Sequence, residues 1–180
     1  MKIQAKQRLQ ASDIAPEARS LIERAVHALK PVQMVDGKKA MNIRKVSTAL
    51  EKAGFKVKLV DDLYRQEAPA YVLATEQHTL YINRTCGYWA VPEYVMKKAH
   101  AAGQIGTNDP LHVIYHECAH MAHLLKDVRW QGDEEQIASK VSRYATQNRN
   151  EFIAEYTAGV MAGKNYPEDV DNLYNNLMAL

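Results

Sequence analysis

The stretch "LHVIYHECAHMAHLL", residues 111–125, holds four of the seven histidines of the chain. On a helical wheel of about 100° per residue, its apolar residues gather on one broad face and its histidines on the opposite face. The apolar face predicts packing against a core, and the histidine face is then free to look into a cleft. We therefore expect a helix over residues 109–126 that presents its histidines to a polar site.

Within this stretch, "HECAH" matches the pattern H-E-x-x-H. His116 and His120 are one helical turn apart, so both imidazoles can reach one zinc ion at about 2.0–2.1 Å. Glu117 projects beside them, where it can reach a zinc-bound water without binding the metal. Zinc lowers the pKa of such a water to about 7, and the glutamate can accept its proton. The pattern predicts a catalytic metal site.

Two other histidines of the stretch fit the pattern less well. The alternative interpretation of the whole stretch is a helix whose histidines are purely structural. His112 and His116 also stand one turn apart, but Val113 occupies the position of the catalytic acid. His123 lies too far along the helix from His116 to share a metal. We expect His112 and His123 to support the ligands from behind or to lie on the surface.

The segment "NRNEFIAEYTAG", residues 148–159, is the candidate for the third ligand. A catalytic zinc usually takes three protein ligands and leaves one position for water. Glu151 and Glu155 stand four residues apart on one predicted helix face. One carboxylate can bind the metal, while the other accepts a hydrogen bond from a ligand histidine and fixes its orientation. A solvated acidic face is the alternative.

Tyr144 stands shortly before these glutamates, in "RYATQNRNEF" (residues 143–152). The sequence places it at a helix end that leads into the glutamate segment. A phenol in that position can donate a hydrogen bond to the oxyanion that develops during amide hydrolysis.

The strand-like segments fall in the first half of the chain. "FKVKLV" (55–60) alternates apolar and charged residues, as a half-buried strand does. "AYVLAT" (70–75) and "TLYIN" (79–83) are two more short runs rich in strand-forming residues, and they predict a hairpin. Helices are predicted over residues 12–30, 38–53, 92–102, 109–126, 133–144, 149–163 and 167–179. Gly54 is the predicted stop of the helix over 38–53.

This order predicts an α+β fold, with a small, mainly antiparallel sheet in the N-terminal half and a helical C-terminal half. A chain of 180 residues suits one domain, here a helix and strand lobe (1–90) followed by a helical lobe (91–180) that carries the zinc site. Residues 1–30 could also form a docking or regulatory helix.

The composition excludes several classes of protein. A formal net charge of +2 gives no electrostatic case for binding nucleic acid or an anionic membrane. Two cysteines, Cys86 and Cys118, are too few for a disulfide framework, so free thiols are expected. The chain shows no signal peptide and no membrane span, which predicts a cytoplasmic protein unless a signal-independent route exports it.

The combination of "HECAH" with "YATQNRNEFIAE" resembles the zinc metallopeptidases of the anthrax lethal factor catalytic-domain type. These belong to the gluzincin class and include the Pro-Pro endopeptidases. The family pattern is a tyrosine, an asparagine and a glutamate that leads into an aromatic–x–Ala–Glu run. The resemblance covers residues 111–155, and its positions are Tyr144, Asn148, Glu151, Phe152, Ala154 and Glu155.

The resemblance implies a zincin-like fold with the active-site helix in a cleft. It implies that one catalytic zinc is bound by His116, His120 and Glu151, with Glu117 as general base and Tyr144 as oxyanion donor. Glu155 would lie behind the ligands. The run "LYIN" (80–83) is similar to the edge strand of such enzymes, which would hold an extended protein or peptide substrate.

A zinc-dependent endopeptidase is therefore the function that the sequence favours. A zinc hydrolase acting on a non-protein amide or a cell-wall peptide would need the same residues. A non-catalytic zincin-fold interaction domain is the third hypothesis. Glu117 speaks against that one, because a structural zinc site has no use for the acid and favours four protein ligands. Cleavage specificity and oligomeric state stay open.

Overall fold

The computed structural model describes Arg24, Met34, Val35 and residues 40–180. The helix predicted over residues 12–30 lies outside this part, apart from Arg24, which is helical. The described strands are β1 (Met34–Val35), β2 (Ala40–Met41), β3 (Lys56–Val60), β4 (Ala70–Leu73) and β5 (Glu76–Asn83). The described helices are α1 (Ile43–Lys52), α2 (Pro92–Ala101), α3 (His112–Ala122), α4 (Glu134–Ala138), α5 (Arg149–Met161) and α6 (Glu168–Met178), with 3₁₀ turns at Leu63–Arg65, Gly87–Ala90 and Tyr144–Thr146.

Three strands form a small sheet in the order β3-β5-β4. The predicted hairpin is confirmed, because β4 and β5 pair in antiparallel orientation. β3 pairs with β5 in parallel, which the sequence did not predict. The chain reverses twice between them and then inserts β5 between β3 and β4. The sheet is therefore mixed, and the predicted α+β class is confirmed.

Helix α1 is shorter than predicted at its start. The sequence placed it over residues 38–53, but it begins at Ile43, because the Asn42 side chain caps it by accepting a hydrogen bond from the Lys45 amide at 3.1 Å. Residues 40 and 41 belong to β2 instead. The predicted stop is confirmed: Gly54 has a φ of 91°, a conformation that favours glycine.

The prediction of one helix over residues 133–144 was wrong, since α4 ends at Ala138. The backbone amides of Arg143 and Tyr144 instead donate to the carbonyls of residues 103–104, both at 2.9 Å. These tertiary hydrogen bonds take the amides that a continuing helix would have used. They also pin Tyr144 beside the loop that leads into α3.

Helix α3 lies between the sheet and α5. Its predicted apolar face is confirmed, since Ile114, Cys118 and Met121 belong to the core that contains Leu80 and Ile82 of β5. A second core joins α5 to α6. The histidine face of α3 is not open to solvent as a whole, because it packs against α5.

Helix α3 ends at Ala122 rather than at residue 126. The last turn of a helix leaves backbone carbonyls without partners. The Gln77 side chain from β5 donates to the His120 carbonyl at 3.2 Å and so satisfies one of them. His123 follows with an extended backbone.

Both cysteines, Cys86 and Cys118, are buried and free. In the described part of the chain, no helix combines the length and the apolar character needed to cross a bilayer.

Candidate metal centre

Helices α3 and α5 together bring three side chains to one point. His116 and His120 come from α3, and their Nε2 atoms lie 3.1 Å apart. Glu151 comes from the first turn of α5. Its Oε2 lies 3.0 Å from Nε2 of His116 and 3.3 Å from Nε2 of His120.

These three atoms have the spacing of ligands to a single small cation. Two ligands at about 2.0–2.1 Å from a tetrahedral zinc ion lie about 3.3–3.4 Å from each other. The separations of 3.0, 3.1 and 3.3 Å approach that value. Imidazole nitrogen and carboxylate oxygen are also donors that zinc prefers. The group fits a three-ligand zinc site with one position left open.

Two asparagines position Glu151. Asn148 caps α5 by accepting a hydrogen bond from the Glu151 amide at 3.1 Å. Asn150 pairs with the backbone of Leu125, whose amide lies 2.8 Å from its Oδ1 and whose carbonyl lies 3.3 Å from its Nδ2. Leu125 belongs to the chain that leaves α3. Asn150 therefore ties the start of the glutamate helix to the end of the histidine helix.

A buried ion pair holds the same end of α5. Arg149 is 3% exposed, and its guanidinium contacts both carboxylate oxygens of Glu134, each at 2.8 Å. Such a bidentate pair fixes orientation as well as distance. The sequence did not predict this pair, because an Arg and a Glu fifteen residues apart form no recognisable pattern.

Glu155 lies one turn beyond Glu151, behind the three candidate ligands, and is almost completely buried. Its Oε1 lies 2.9 Å from Nδ1 of His116 and 2.7 Å from Nε2 of His112. Its Oε2 accepts from the Gly106 amide at 2.7 Å and from the Ser142 hydroxyl at 2.9 Å. Four contacts thus compensate one buried carboxylate, as burial of a charge requires.

The electrostatics follow from these contacts. Burial by itself raises the pKa of Glu155, but the hydrogen bonds from His112 and His116 outweigh it and hold that pKa well below its usual range. Burial likewise opposes ionisation of Glu151, and its contacts with His116 and His120 lower its pKa to about 2. Both carboxylates are ionised at neutral pH.

His116 lies between these two carboxylates. Burial lowers its pKa, but the hydrogen bonds to Glu151 and Glu155 raise it more strongly, to about 10. A cation at the Nε2 side would have to displace a proton from His116. The Nδ1 side would still donate to Glu155, which is the arrangement usual for a ligand histidine.

Glu117 is half-buried beside the ligands and lines a cavity of about 710 Å³ together with His116 and Tyr144. Burial raises its pKa, the positive charge of His116 and His120 lowers it, and the result stays above the usual range. The backbone amide of Val72 in β4 lies near this carboxylate and acts to lower its pKa. A raised pKa suits a group that takes up a proton and gives it back.

Tyr144 faces the ligands from the 3₁₀ turn before α5. Its ring centroid lies 5.6 Å from that of His116, and the side chain is 41% exposed. Burial and the nearby charges of Glu151, Glu117 and Glu155 raise the pKa of its phenol to about 12. The phenol therefore keeps its proton and can donate it in a hydrogen bond.

The interpretation of "LYIN" as the edge strand was wrong, because these residues lie in β5, the central strand. Among the described strands, the edge of the sheet beside the site is β4. Asn83 donates to the Pro69 carbonyl at 2.8 Å, and bonding alternates along an antiparallel pair. The backbone N–H and C=O groups of Tyr71 therefore point towards β5, while those of Ala70 and Val72 point away from it.

The other two histidines of residues 111–125, His112 and His123, lie in different surroundings. His112 is 2% exposed and contacts Glu155, so it lies behind the ligands. His123 ends the helix, outside both His and Glu groups that could hold a metal ion in the described residues. The first group is His116, His120 and Glu151. The second consists of His112, His116 and Glu155, each of them buried.

Gly106 and Ser142 are site residues that the sequence did not predict. Gly106 packs closely against this region: a Cβ there would lie 3.2 Å from Oη of Tyr166 and 3.4 Å from Oε2 of Glu155, so a side chain would require these groups to shift slightly. Ser142 accepts from the Ala145 amide at 3.0 Å and donates its hydroxyl to Glu155. Neither residue belongs to a motif, and only the fold brings them to Glu155.

Comparisons of the chain with protein-family models, with curated proteins and with solved structures found no match.

Proposed function

We propose that this chain is a zinc-dependent endopeptidase. The observation that carries the proposal is the convergence of His116 Nε2, His120 Nε2 and Glu151 Oε2 within 3.0–3.3 Å of one another. Glu117 lies beside this group and Tyr144 faces it. The similarity of "HECAH" and "YATQNRNEFIAE" to the lethal factor type of gluzincin supports the same conclusion.

Each site residue has a defined role in this proposal. His116, His120 and Glu151 would hold the zinc ion, which supplies an acidified water and polarises the substrate carbonyl. Glu117 accepts a proton from the water and passes it to the leaving nitrogen. Tyr144 donates a hydrogen bond to the developing oxyanion. Glu155 keeps the proton of His116 on Nδ1, so that Nε2 offers its lone pair to the ligand centre.

A peptide is the substrate that the surroundings favour. The outward backbone groups of Ala70 and the outward carbonyl of Val72 offer an extended chain the hydrogen bonds of a further strand. The cavity beside Glu117 contains Val95, Met96 and Ile105 and can take apolar side chains. The Val72 amide lies near Glu117 and acts to lower its pKa, so a peptide on this edge would lie next to the general base.

The test measures zinc content and peptide cleavage in the same samples. Wild type should carry one zinc ion per chain and cut members of a mixed peptide library. Glu117→Gln should keep zinc and lose activity by about 10²–10⁴-fold, because only the proton transfer is removed. Glu151→Gln should lose zinc. Glu135→Gln, an exposed acid on α4, is the matched control and should behave as wild type.

Other outcomes separate the alternatives. If zinc is bound as proposed but no peptide is cut, a hydrolase of non-protein amides or cell-wall peptides becomes the better hypothesis. If Glu117→Gln cuts peptides as fast as wild type, the site is not a catalytic centre of this type. A wild type that takes up no zinc when zinc is supplied would overturn the metallopeptidase proposal entirely.

A further inference from the structure

His112 is the buried titratable residue of this region to which the proposed reaction assigns no role. It stands one helical turn before His116 on α3 and is 2% exposed. Its Nε2 lies 2.7 Å from Oε1 of Glu155, the oxygen that also faces Nδ1 of His116 at 2.9 Å. Two histidines therefore share one carboxylate oxygen, and only one of them is a candidate ligand.

The proton in the contact between His112 and Glu155 can be assigned. The other oxygen of Glu155 already accepts from the Gly106 amide and the Ser142 hydroxyl. The carboxylate is therefore the acceptor, and Nε2 of His112 donates. Nδ1 of His112 is buried and has no hydrogen-bond partner among the described residues. Nε2 is therefore the ring nitrogen through which His112 is held in place.

This arrangement distributes the restraints on Glu155 unevenly. Gly106 and Ser142 fix Oε2, while Oε1 has only His112 and His116. Without His112, the oxygen that orients His116 would be held at that end by His116 alone. Oε1 could then rotate with the histidine that it should keep in place.

We propose that His112 is a positioning residue that clamps Oε1 of Glu155 and thereby holds His116 with Nε2 directed at the ligand centre. The inference rests on the proposed metal site and adds a residue to it. Partners behind metal ligands commonly contribute about 10–100-fold to metal affinity.

A second cation between His112, His116 and Glu155 is the competing interpretation, since these residues also offer three ligand atoms. The contacts speak against it. Oε1 lies 2.7 and 2.9 Å from the two nitrogens, which is further below the separation of about 3.3–3.4 Å expected between two zinc ligands than the distances in the first group. The second oxygen of Glu155 is committed to two donors. The competing interpretation predicts two bound zinc ions per chain.

The experiment compares zinc affinity, by competition with a chromophoric chelator, in wild type, His112→Phe, His112→Gln and His123→Gln. His112→Phe fills the same space without a donor and should bind zinc about 10–100-fold more weakly. His112→Gln places an amide N–H near the position of Nε2 and should restore the affinity to within a few-fold of wild type. His123→Gln is the matched control, because His123 lies outside both ligand groups, and it should bind as wild type does.

Three results would overturn the inference: equal zinc affinity in His112→Phe and wild type, no rescue by glutamine, or a second zinc ion in wild type that His112→Phe lacks. Imidazole nitrogen NMR of chelator-treated wild type tests the inference without any variant. A proton on Nε2 of His112 is expected, because Nε2 donates to Glu155, and a ring without a proton on Nε2 would contradict the inference. The proposed function fails separately: wild type would then bind no zinc or cut no peptide, whereas failure of this inference alone leaves both intact.

Discussion

Helix α5 has two buried faces of opposite chemistry. One face directs Glu151 and Glu155 at the histidines of α3, where each carboxylate has partners at 2.7–3.3 Å. The other face directs Phe152 and Tyr156 into the core with α6, where the rings of Tyr156 and Tyr174 stack at 4.2 Å. Burial of rings is favourable by itself, whereas burial of a carboxylate is favourable only when its partners are in place.

This difference explains how a helix so polar on one side can be buried. Apolar contacts with α6 and Trp130 stabilise α5, and that stability allows the charged face to be held in a fixed geometry. The two faces should therefore respond differently to mutation. Changes on the charged face should affect stability and metal binding together, and changes on the aromatic face should affect stability first.

The largest effect is expected for Glu155→Ala. It would leave the Gly106 amide, the Ser142 hydroxyl and Nε2 of His112 buried without their acceptor. Breaking a buried charged network in this way costs about 3–5 kcal/mol. The free energy of unfolding from urea denaturation measures it, with Glu135→Ala as an exposed control. A loss below about 1 kcal/mol would mean that water replaces the carboxylate.

Tyr144→Phe should separate activity from stability. The phenol has no hydrogen-bond partner within the described residues and is 41% exposed, so thermal stability and zinc content should stay at wild-type levels. Loss of an oxyanion donor lowers kcat by about 10²–10³-fold. Steady-state kinetics on the best library peptide would test this. An unchanged kcat would remove Tyr144 from the mechanism and leave the zinc site intact.

Gly159→Ala should disturb the packing on the aromatic face of α5. Alanine normally stabilises a helix relative to glycine by up to about 1 kcal/mol. Here the new Cβ would lie 1.9 Å from Oη of Tyr166, so the Tyr166 ring, 5.1 Å from that of Tyr156, must move. We expect a net destabilisation of about 1–3 kcal/mol in urea unfolding. Gly87→Ala is the matched control, because its Cβ meets nothing within 4 Å; equal stability of the two variants would contradict the steric argument.

The last prediction changes no residue and concerns the proton linkage of zinc binding. His116 has a pKa of about 10, raised by Glu151 and Glu155 against the effect of burial. Below that pH, zinc must displace one proton, so the apparent affinity should rise by about tenfold per pH unit through the neutral range and level off near pH 10. Titration calorimetry in buffers of different ionisation enthalpy should report release of about one proton per zinc at neutral pH. Release of none would mean that His116 is neutral before zinc binds.

Local sequence predicted much of the candidate site because the site residues lie only a few positions apart within each of two helices. His116, Glu117 and His120 share one helix, and Glu151 and Glu155 share another, so helical periodicity alone places each set on one face. Gly54 marks a helix end that the structure confirms, and α5 begins at Arg149 as predicted. The boundary of α4 was wrong because the amides of Arg143 and Tyr144 bond to a distant loop, which local propensity cannot anticipate.

The sequence by itself determined the α+β class, the apolar face of α3 and the residues of the candidate zinc site. Only the tertiary structure decided how these residues meet. It placed β5 in the centre of the three described strands and β4 at one of their two edges. It also gave Glu155 its four partners, which come from three separate segments of the chain. Periodicity reports which face of an element is buried, whereas the contacts across that face depend on chain-distant groups that no local pattern contains.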